Sequence, residues 1–371
     1  MAAEHDPQRI ARLTPLNDVL ARIEALVNPV APREMESAVA TGRISATEWR
    51  VRPRPGATIA LRDGFAVAAD LTSDASGYAP VPLPSATRLD AGEALPAGAD
   101  AVASLDVVVV RNGQPEITAR VVPGEGVLPA GADADWRNVF SWQGRLLRPI
   151  LTAVLVASGV KATHVCEPRV RVVRVRGGED AILEAARLLI ATAVAAEGGI
   201  VAAESTGDLA AALSDASSDA VIAIGGTGSG RNDDSVHTLA RIGRVEVHGI
   251  ALSPGETAAF GLVGERPVLL IPGRLDAAVA VWLTIGRRML ARLSGSSAEV
   301  PSTAAVLTRK HASPLGLTEL VPVRVRDSQA EPIVSGYWPL QSLAQSDGWI
   351  LVPAQSEGYP AGAEVMIRPW P

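Results

Sequence analysis

Gly225-Gly226-Thr227-Gly228-Ser229-Gly230-Arg231-Asn232-Asp233-Asp234 is the stretch on which the reading of this chain turns. Asp219-Ala220-Val221-Ile222-Ala223-Ile224, just before it, is an apolar run of strand length. Ser235 to Ile242, just after it, has helical spacing. Strand, glycine loop and helix in that order receive anions: glycines let backbone N–H groups approach a ligand, and a helix start carries partial positive charge. The acidic pair Asp233-Asp234 at the loop's end would hold a metal or a polar group of the ligand. The loop fits neither common phosphate motif. Gly225 and Gly230 have P-loop separation, but Arg231 and Asn232 stand where Lys and Ser/Thr belong; Gly226 and Gly228 suit a dinucleotide loop, but Arg231 replaces its third glycine.

Outward from the loop, strands and helices alternate. Val170–Val175 predicts a strand, Ala181–Ala196 a helix ended by Gly198-Gly199, Ile200–Ala203 a strand and Asp208–Leu213 a short helix. Val245–Leu252 and Pro267–Ile271 predict further strands, and Asp276–Leu293 a helix that Asp276 would cap. This alternation predicts a parallel sheet covered on both faces, with ligands at the carboxyl ends of its strands. Two more strand-to-helix turns then matter: Pro272-Gly273-Arg274, whose arginine could reach a phosphate, and Arg176-Gly177-Gly178-Glu179-Asp180, whose acids suit a helix start. If the strands before Glu179 and Asp233 are neighbours, the two carboxylates could share a divalent metal.

The flanks differ in style. Thr14 and Pro15 predict an N-cap and first turn for a helix through Leu26-Val27. Residues 46–140 hold short β-like runs punctuated by Pro and Gly, a β-rich insertion that splits a helical N-terminal part (1–45 and 141–168). After the α/β segment (169–296), residues 297–371 again read as short strands, a small β-barrel or sandwich.

Composition sets limits. The chain has 371 residues, and its net charge of −6 rules out the basic face that nucleic acid requires. Cys166 is the sole cysteine, so an internal disulfide is impossible and a cysteine zinc site is excluded in practice. No uncharged apolar stretch reaches the roughly 18–20 residues of a membrane span, and the N-terminus lacks a signal-peptide pattern. A cytoplasmic protein is expected. The five histidines have no ligand spacing, and Ser229 has no evident triad partner.

The pieces in this order resemble the molybdopterin molybdotransferase family (MoeA and the E domain of gephyrin) over nearly the whole chain. Arg62-Asp63-Gly64-Phe65-Ala66-Val67 is similar to its Met-Asp-Gly-Tyr-Ala-Val motif, and Gly92 to Val102 matches its Gly-x-x-x-Pro-x-Gly-Ala-Asp-Ala-Val segment. Gly131-Ala132-Asp133 stands at its Gly-Glu-Asp, Pro254 to Gly261 at its Pro-Gly-Lys-Pro stretch and Pro272-Gly273 at its Pro-Gly-Asn-Pro. Gly336 to Gly348, with Ser342 inside, resembles its Gly-Ser-x-x-x-Ser segment. The glycine loop itself is similar to that of the sister adenylyltransferases, Gly-Gly-Thr-Gly-x-x-Arg-x-Asp.

The resemblance implies a multidomain α/β protein: a central three-layer α/β/α molybdopterin-binding domain, an inserted β-rich domain and a C-terminal small β-barrel. It implies a homodimer, and insertion of molybdate into adenylylated molybdopterin with Mg2+ and release of AMP. Gly225, Gly226, Thr227, Gly228, Ser229, Arg231, Pro272, Gly273, Arg274 and Ser342 would contact the pterin substrate. Asp233 and Glu179 would hold the metal and, with Asp63 contributed by the second copy, serve catalysis. The chain departs from the pattern where the family carries lysines, with Gly249, Ser253 and Glu256 at those places. Each lost charged contact costs about 1.5–3 kcal/mol in a dry site. Either an arginine such as Arg174's neighbour Arg176, Arg231 or Arg274 supplies the missing charge, or the protein is a catalytically degenerate molybdopterin-binding scaffold.

Overall fold

A computed structural model describes residues 8–83, 87–135, 139–175, 180–203, 208–297 and 300–371. The chain divides into two compact units. One comprises residues 1–47, 142–152 and 162–371, the other 48–141 and 153–161.

The larger unit is built around a six-stranded sheet. Its strands are β1 (Arg169–Arg174), β2 (Ile200–Val201), β3 (Ala220–Ile224), β4 (Arg244–His248), β6 (Ala259–Val263) and β7 (Arg266–Ile271), in the order β2-β1-β3-β7-β6-β4. β5 (Ile250–Ser253) leaves for another sheet. Every residue of β3 is buried, which is why its sequence is apolar without alternation. The helices are α1 (Leu16–Leu26), α2 (Ala181–Ala196), α3 (Leu209–Ser214), α4 (Ser235–Ile242), α5 (Leu275–Val281) and α6 (Arg287–Ser294). α2 buries Leu183, Ala186, Ile190, Ala193 and Val194, a stripe at helical spacing.

Five sequence expectations need correction. The sheet is mixed: β2, β1, β3 and β7 run parallel, but β6 and β4 add antiparallel at one edge. The expected single strand 245–252 breaks at Gly249 (φ +92°), which sends β4 and β5 to different sheets. Thr14 caps nothing, because Thr14-Pro15 pairs in parallel with Ile250-Ala251 and α1 starts after it without a side-chain cap. Asp276 does not cap α5 either, since Arg274 is the N-cap residue and Asp276 lies inside the first turn. The long helix expected from Asp276 is α5 and α6 joined through a π-helical turn at Trp282–Gly286.

β8 (Thr303–Leu307), β9 (Thr318–Arg326), β10 (Gln329–Pro332), β11 (Gly348–Val352) and β12 (Glu364–Pro369) close a five-stranded barrel in the order β9-β10-β8-β12-β11 and back to β9. Its interior takes alternate residues: Ala305 and Leu307, Val321 and Val323, Ile350 and Val352, Val365 and Ile367. α7 (Leu340–Ala344) lies between β10 and β11 in the chain. β5 continues onto β9, where Ser253 pairs with Glu319. Trp338 and Trp349 join the main core with Leu252, Leu283 and Ile285, so barrel and α/β layer share one interior.

The smaller unit is β-rich. Strand Gly64–Val67 sits between Thr87–Leu89 and Ala101–Ser104, all antiparallel. Val67, Ala101, Ala103, Ile117 and Val121 form its core. Asp63 precedes the central strand, and its Oδ1 accepts the Ala91 N–H at 2.8 Å.

Candidate functional site

β1 and β3 are neighbours, as are β3 and β7, so the turns after all three open at one end of the sheet. There a cleft of about 460 Å³ is lined by Asp180, Ile182, Leu183, Gly225, Gly226, Thr227, Gly228, Asp233, Thr257, Pro272, Gly273 and Arg274 among the described residues. Two of the three glycine-bearing turns singled out in the sequence are thus brought together. Of the third, Asp180 borders the cleft and caps α2, its Oδ1 taking the N–H groups of Ile182 (2.9 Å) and Leu183 (3.1 Å). Arg176 and Glu179, the latter singled out as a metal ligand, lie outside the described residues.

The loop is held from behind. Gly225 donates its N–H to Ile271 O at 2.8 Å, extending the sheet by one bond, so this amide is committed rather than offered to a ligand. Gly226 has φ +70°, and a Cβ there would stand 2.4 Å from Ser235 Oγ. Ser235 in turn donates its hydroxyl to Gly225 O (2.8 Å) and its N–H to Gly226 O (3.1 Å). Thr227 is buried, its hydroxyl 2.9 Å from that of Thr257, which ties the loop to the β5–β6 turn. His248 Nε2 contacts Thr227 O at 3.1 Å. Burial holds this imidazole below its ordinary pKa, so near neutrality it is uncharged and donates through Nε2–H. Among the described residues no acceptor meets the amides of Gly226, Thr227, Gly228 and Ser229. Of these, Gly226, Thr227 and Gly228 border the cleft, an arrangement of uncommitted N–H groups that could receive an anion.

The two acids differ. Asp233 borders the cleft, and its Oδ2 accepts Gly230 N–H at 3.1 Å while lying against Gly228 and Gly230. Asp234 turns away to Thr238 Oγ1 (2.8 Å) and Arg241 (3.0 Å), so it is not half of a metal-binding pair. Groups of three or more metal-binding side chains are absent among the described residues.

Arg274 is the cation bordering the cleft among the described residues. It grips buried Asp276 with two nitrogens (3.0 and 2.6 Å), and its guanidinium lies 5.1 Å from the Tyr337 ring centre. The Asp276 bonds hold its pKa above the usual arginine value against burial, and the charge of Glu256 adds to this. Asp276 also accepts the Trp338 N–H at 3.1 Å. Glu256, which the resemblance sets where a lysine was expected, brings negative charge near Arg274, the lining cation among the described residues.

Other expected residues are placed elsewhere. Ser229 and Arg231 are exposed on the outer part of the loop and do not border the cleft. Ser342 is half-buried on α7 and also lies off the cleft lining, with its N–H bonded to Pro339 O. Asp63 belongs to the smaller unit. Residues that sequence reasoning missed are Gln8, His248 and Thr257. Gln8 is 3% exposed; its Nε2 donates to Gly226 O (2.9 Å) and Gly228 O (2.8 Å), and its Oε1 accepts Val236 N–H (2.7 Å) and His237 N–H (3.2 Å). No sequence signal marks a glutamine in a polar segment 218 positions from the loop that it holds.

An open α/β sheet with an amide-lined cleft at its strand ends defines an α/β protein built so that an anion could be received there. Comparison with known proteins says which. Residues 14–159 match the MoeA N-terminal region (domains I and II), 184–292 the probable molybdopterin binding domain, and 304–370 the MoeA C-terminal region (domain IV). A Methanocaldococcus jannaschii protein named for molybdopterin biosynthesis is 28% identical over 90% of this chain and 91% of its own. Molybdopterin molybdenumtransferase 2 of Mycobacterium tuberculosis is 26% identical over 82% of this chain and 86% of its own. The crystal structure of a molybdopterin biosynthesis MoeA protein from Pyrococcus horikoshii superposes with a TM-score of 0.75 at 26% identity, covering 97% of this chain and 100% of that one. The chain belongs to the MoeA family.

Proposed function

We propose that this protein acts in molybdenum cofactor biosynthesis as a molybdopterin molybdenumtransferase, inserting molybdate into adenylylated molybdopterin and releasing AMP. The observation that carries the reading is the run of amides from Gly226 to Gly228, which meet no acceptor among the described residues, beside a cleft where the lining cation among those residues is Arg274, gripped by Asp276. The amides would bind the phosphate of the pterin tail. Arg274, held in one orientation by Asp276 and Tyr337, would neutralise developing or bound negative charge without moving. Thr227 and Thr257 would close the cleft's floor, and Asp233 would face the ligand from the loop's far end. The transferase name borne by the Mycobacterium tuberculosis relative and the match across all three parts of the chain favour turnover over a degenerate scaffold.

Mg2+ keeps several waters and takes one or two carboxylates plus substrate phosphate oxygens. A single loop carboxylate beside an amide cradle fits that habit, so Asp233, with Glu179, would hold the ion, which would supply charge neutralisation at the phosphates. The working form would be a cytoplasmic homodimer, with Asp63 of the second copy completing the site. The divisions would be 1–45 with 141–168, 46–140, 169–296 and 297–371.

The test is molybdate-dependent AMP release from adenylylated molybdopterin, with Mg2+ supplied and then chelated. Release that needs both is expected. Tight pterin binding with no release under any condition would convert the reading to a scaffold. ATP-dependent adenylylation of molybdopterin would make it an adenylyltransferase. Light scattering reports the dimer, and Asp63→Ala should depress release without weakening pterin binding.

A further inference from the structure

A trans peptide plane points its C=O and its N–H in opposite directions, so whatever fixes one carbonyl aims the next residue's amide. In the glycine loop three consecutive carbonyls are fixed from behind. Gly226 O is held by Gln8 and the Ser235 N–H, Thr227 O by His248, and Gly228 O by Gln8 again. The amides that follow them belong to Thr227, Gly228 and Ser229, the same amides that meet no acceptor among the described residues. Glycine at 226 and 228 leaves these planes free to turn over at little cost, so the loop's own sequence does not choose a direction. Gln8 does not border the cleft, and its amide uses both donors and two acceptor positions within the loop and the start of α4. Glutamate could accept from α4 but could not donate to the two carbonyls, and methionine could do neither.

We infer that Gln8 is a positioning residue for the anion cleft: by holding the carbonyl of Gly226 it aims the amide of Thr227 at the ligand, and by holding that of Gly228 it fixes the plane that ends the cleft-lining part of the loop. The N-terminus of α4 is closed by a neutral side chain, and the anion is met by loop amides instead of by the helix start. The inference rests on the cleft being the pterin phosphate site.

The experiment uses the full chain with Gln8→Met, Gln8→Glu and Arg274→Ala, reading molybdopterin affinity by calorimetry at neutral pH and amide exchange in the ligand-free protein. Gln8→Met should lose protection at Val236 and His237 and bind at least about tenfold more weakly. Gln8→Glu should keep that protection, since it still accepts from α4, yet bind as weakly as Gln8→Met. That separation is what a purely structural helix cap would not produce. Wild-type affinity in Gln8→Glu, or in both Gln8 variants while Arg274→Ala loses affinity, overturns the inference and leaves the cleft standing. Unchanged affinity in all three variants overturns the cleft assignment and the inference with it. Should Gln8→Met fail to fold, Gln8→Glu decides alone by the same affinity criterion.

Discussion

Replacing Gly226 by alanine tests the loop at its tightest point. The new Cβ would lie 2.4 Å from Ser235 Oγ and 3.2 Å from Val175 Cγ1. Ser235 is 1% exposed and its hydroxyl bonds Gly225 O at 2.8 Å, so swinging it aside leaves a buried carbonyl short of a partner. That loss costs about 1–3 kcal/mol. Holding alanine at φ +70° costs about 1–2 kcal/mol more. The sum, roughly 2–5 kcal/mol, is a large share of the roughly 5–15 kcal/mol by which a folded domain is stable. Ser235→Ala removes the obstructing oxygen and leaves only its Cβ, 3.5 Å from the added methyl. The double variant should therefore be about 1–2 kcal/mol more stable than the two single losses predict. Because the chain has two compact units, one unfolding midpoint would mix them. Native-state hydrogen exchange at α4 and β3 amides reads the local free energy directly. Strict additivity would refute the contact, and unimpaired molybdopterin binding by Gly226→Ala would refute the need for this loop shape.

Arg274→Ala should weaken molybdopterin binding roughly tenfold to 150-fold, the equivalent of about 1.5–3 kcal/mol for a charged contact. Arg274→Lys should recover little of this, because an ammonium cannot reproduce the two-nitrogen grip on Asp276. His248 is neutral in the fold, whereas in the unfolded chain it protonates near pH 6.5. The unfolded state then binds more protons, so its contribution to stability is intact above that pH and is lost as pH falls from there toward the lower folded value. His248→Gln, which keeps a donor for Thr227 O, should remove that part of the acid sensitivity, read as melting temperature from pH 7.5 to 5. Glu319, 1% exposed, accepts from His311, Ser335 and Gly336; burial raises its pKa, but these bonds win and leave it lowered. Glu319→Gln turns a donor toward donors and should cost about 1–3 kcal/mol, seen as an earlier melting transition while loop amide exchange stays unchanged.

Local rules carried the fold where each residue's partners are near it in the chain. The apolar run at 220–224 became a fully buried strand, the stripe from Leu183 to Val194 became the inner face of α2, and period-two alternation lines the barrel. The order of motifs also sufficed for the family, since it depends on sequence alone. Local rules failed where a distant partner decided the outcome. Thr14-Pro15 looked like a helix start and became a strand because Ile250-Ala251 lies beside it. Asp276 looked like a cap and instead anchors Arg274 and the Trp338 amide. In the site, the glycines announced that backbone could approach an anion, yet not which way their amides point. That direction is set by bonds from Gln8 and His248, and hydrogen bonds across 218 and 21 positions leave no periodicity or spacing to read. Chemical type and local pattern are properties of the sequence; orientation belongs to the tertiary structure, because a peptide plane between glycines has no preferred face until something packed behind it takes the carbonyl.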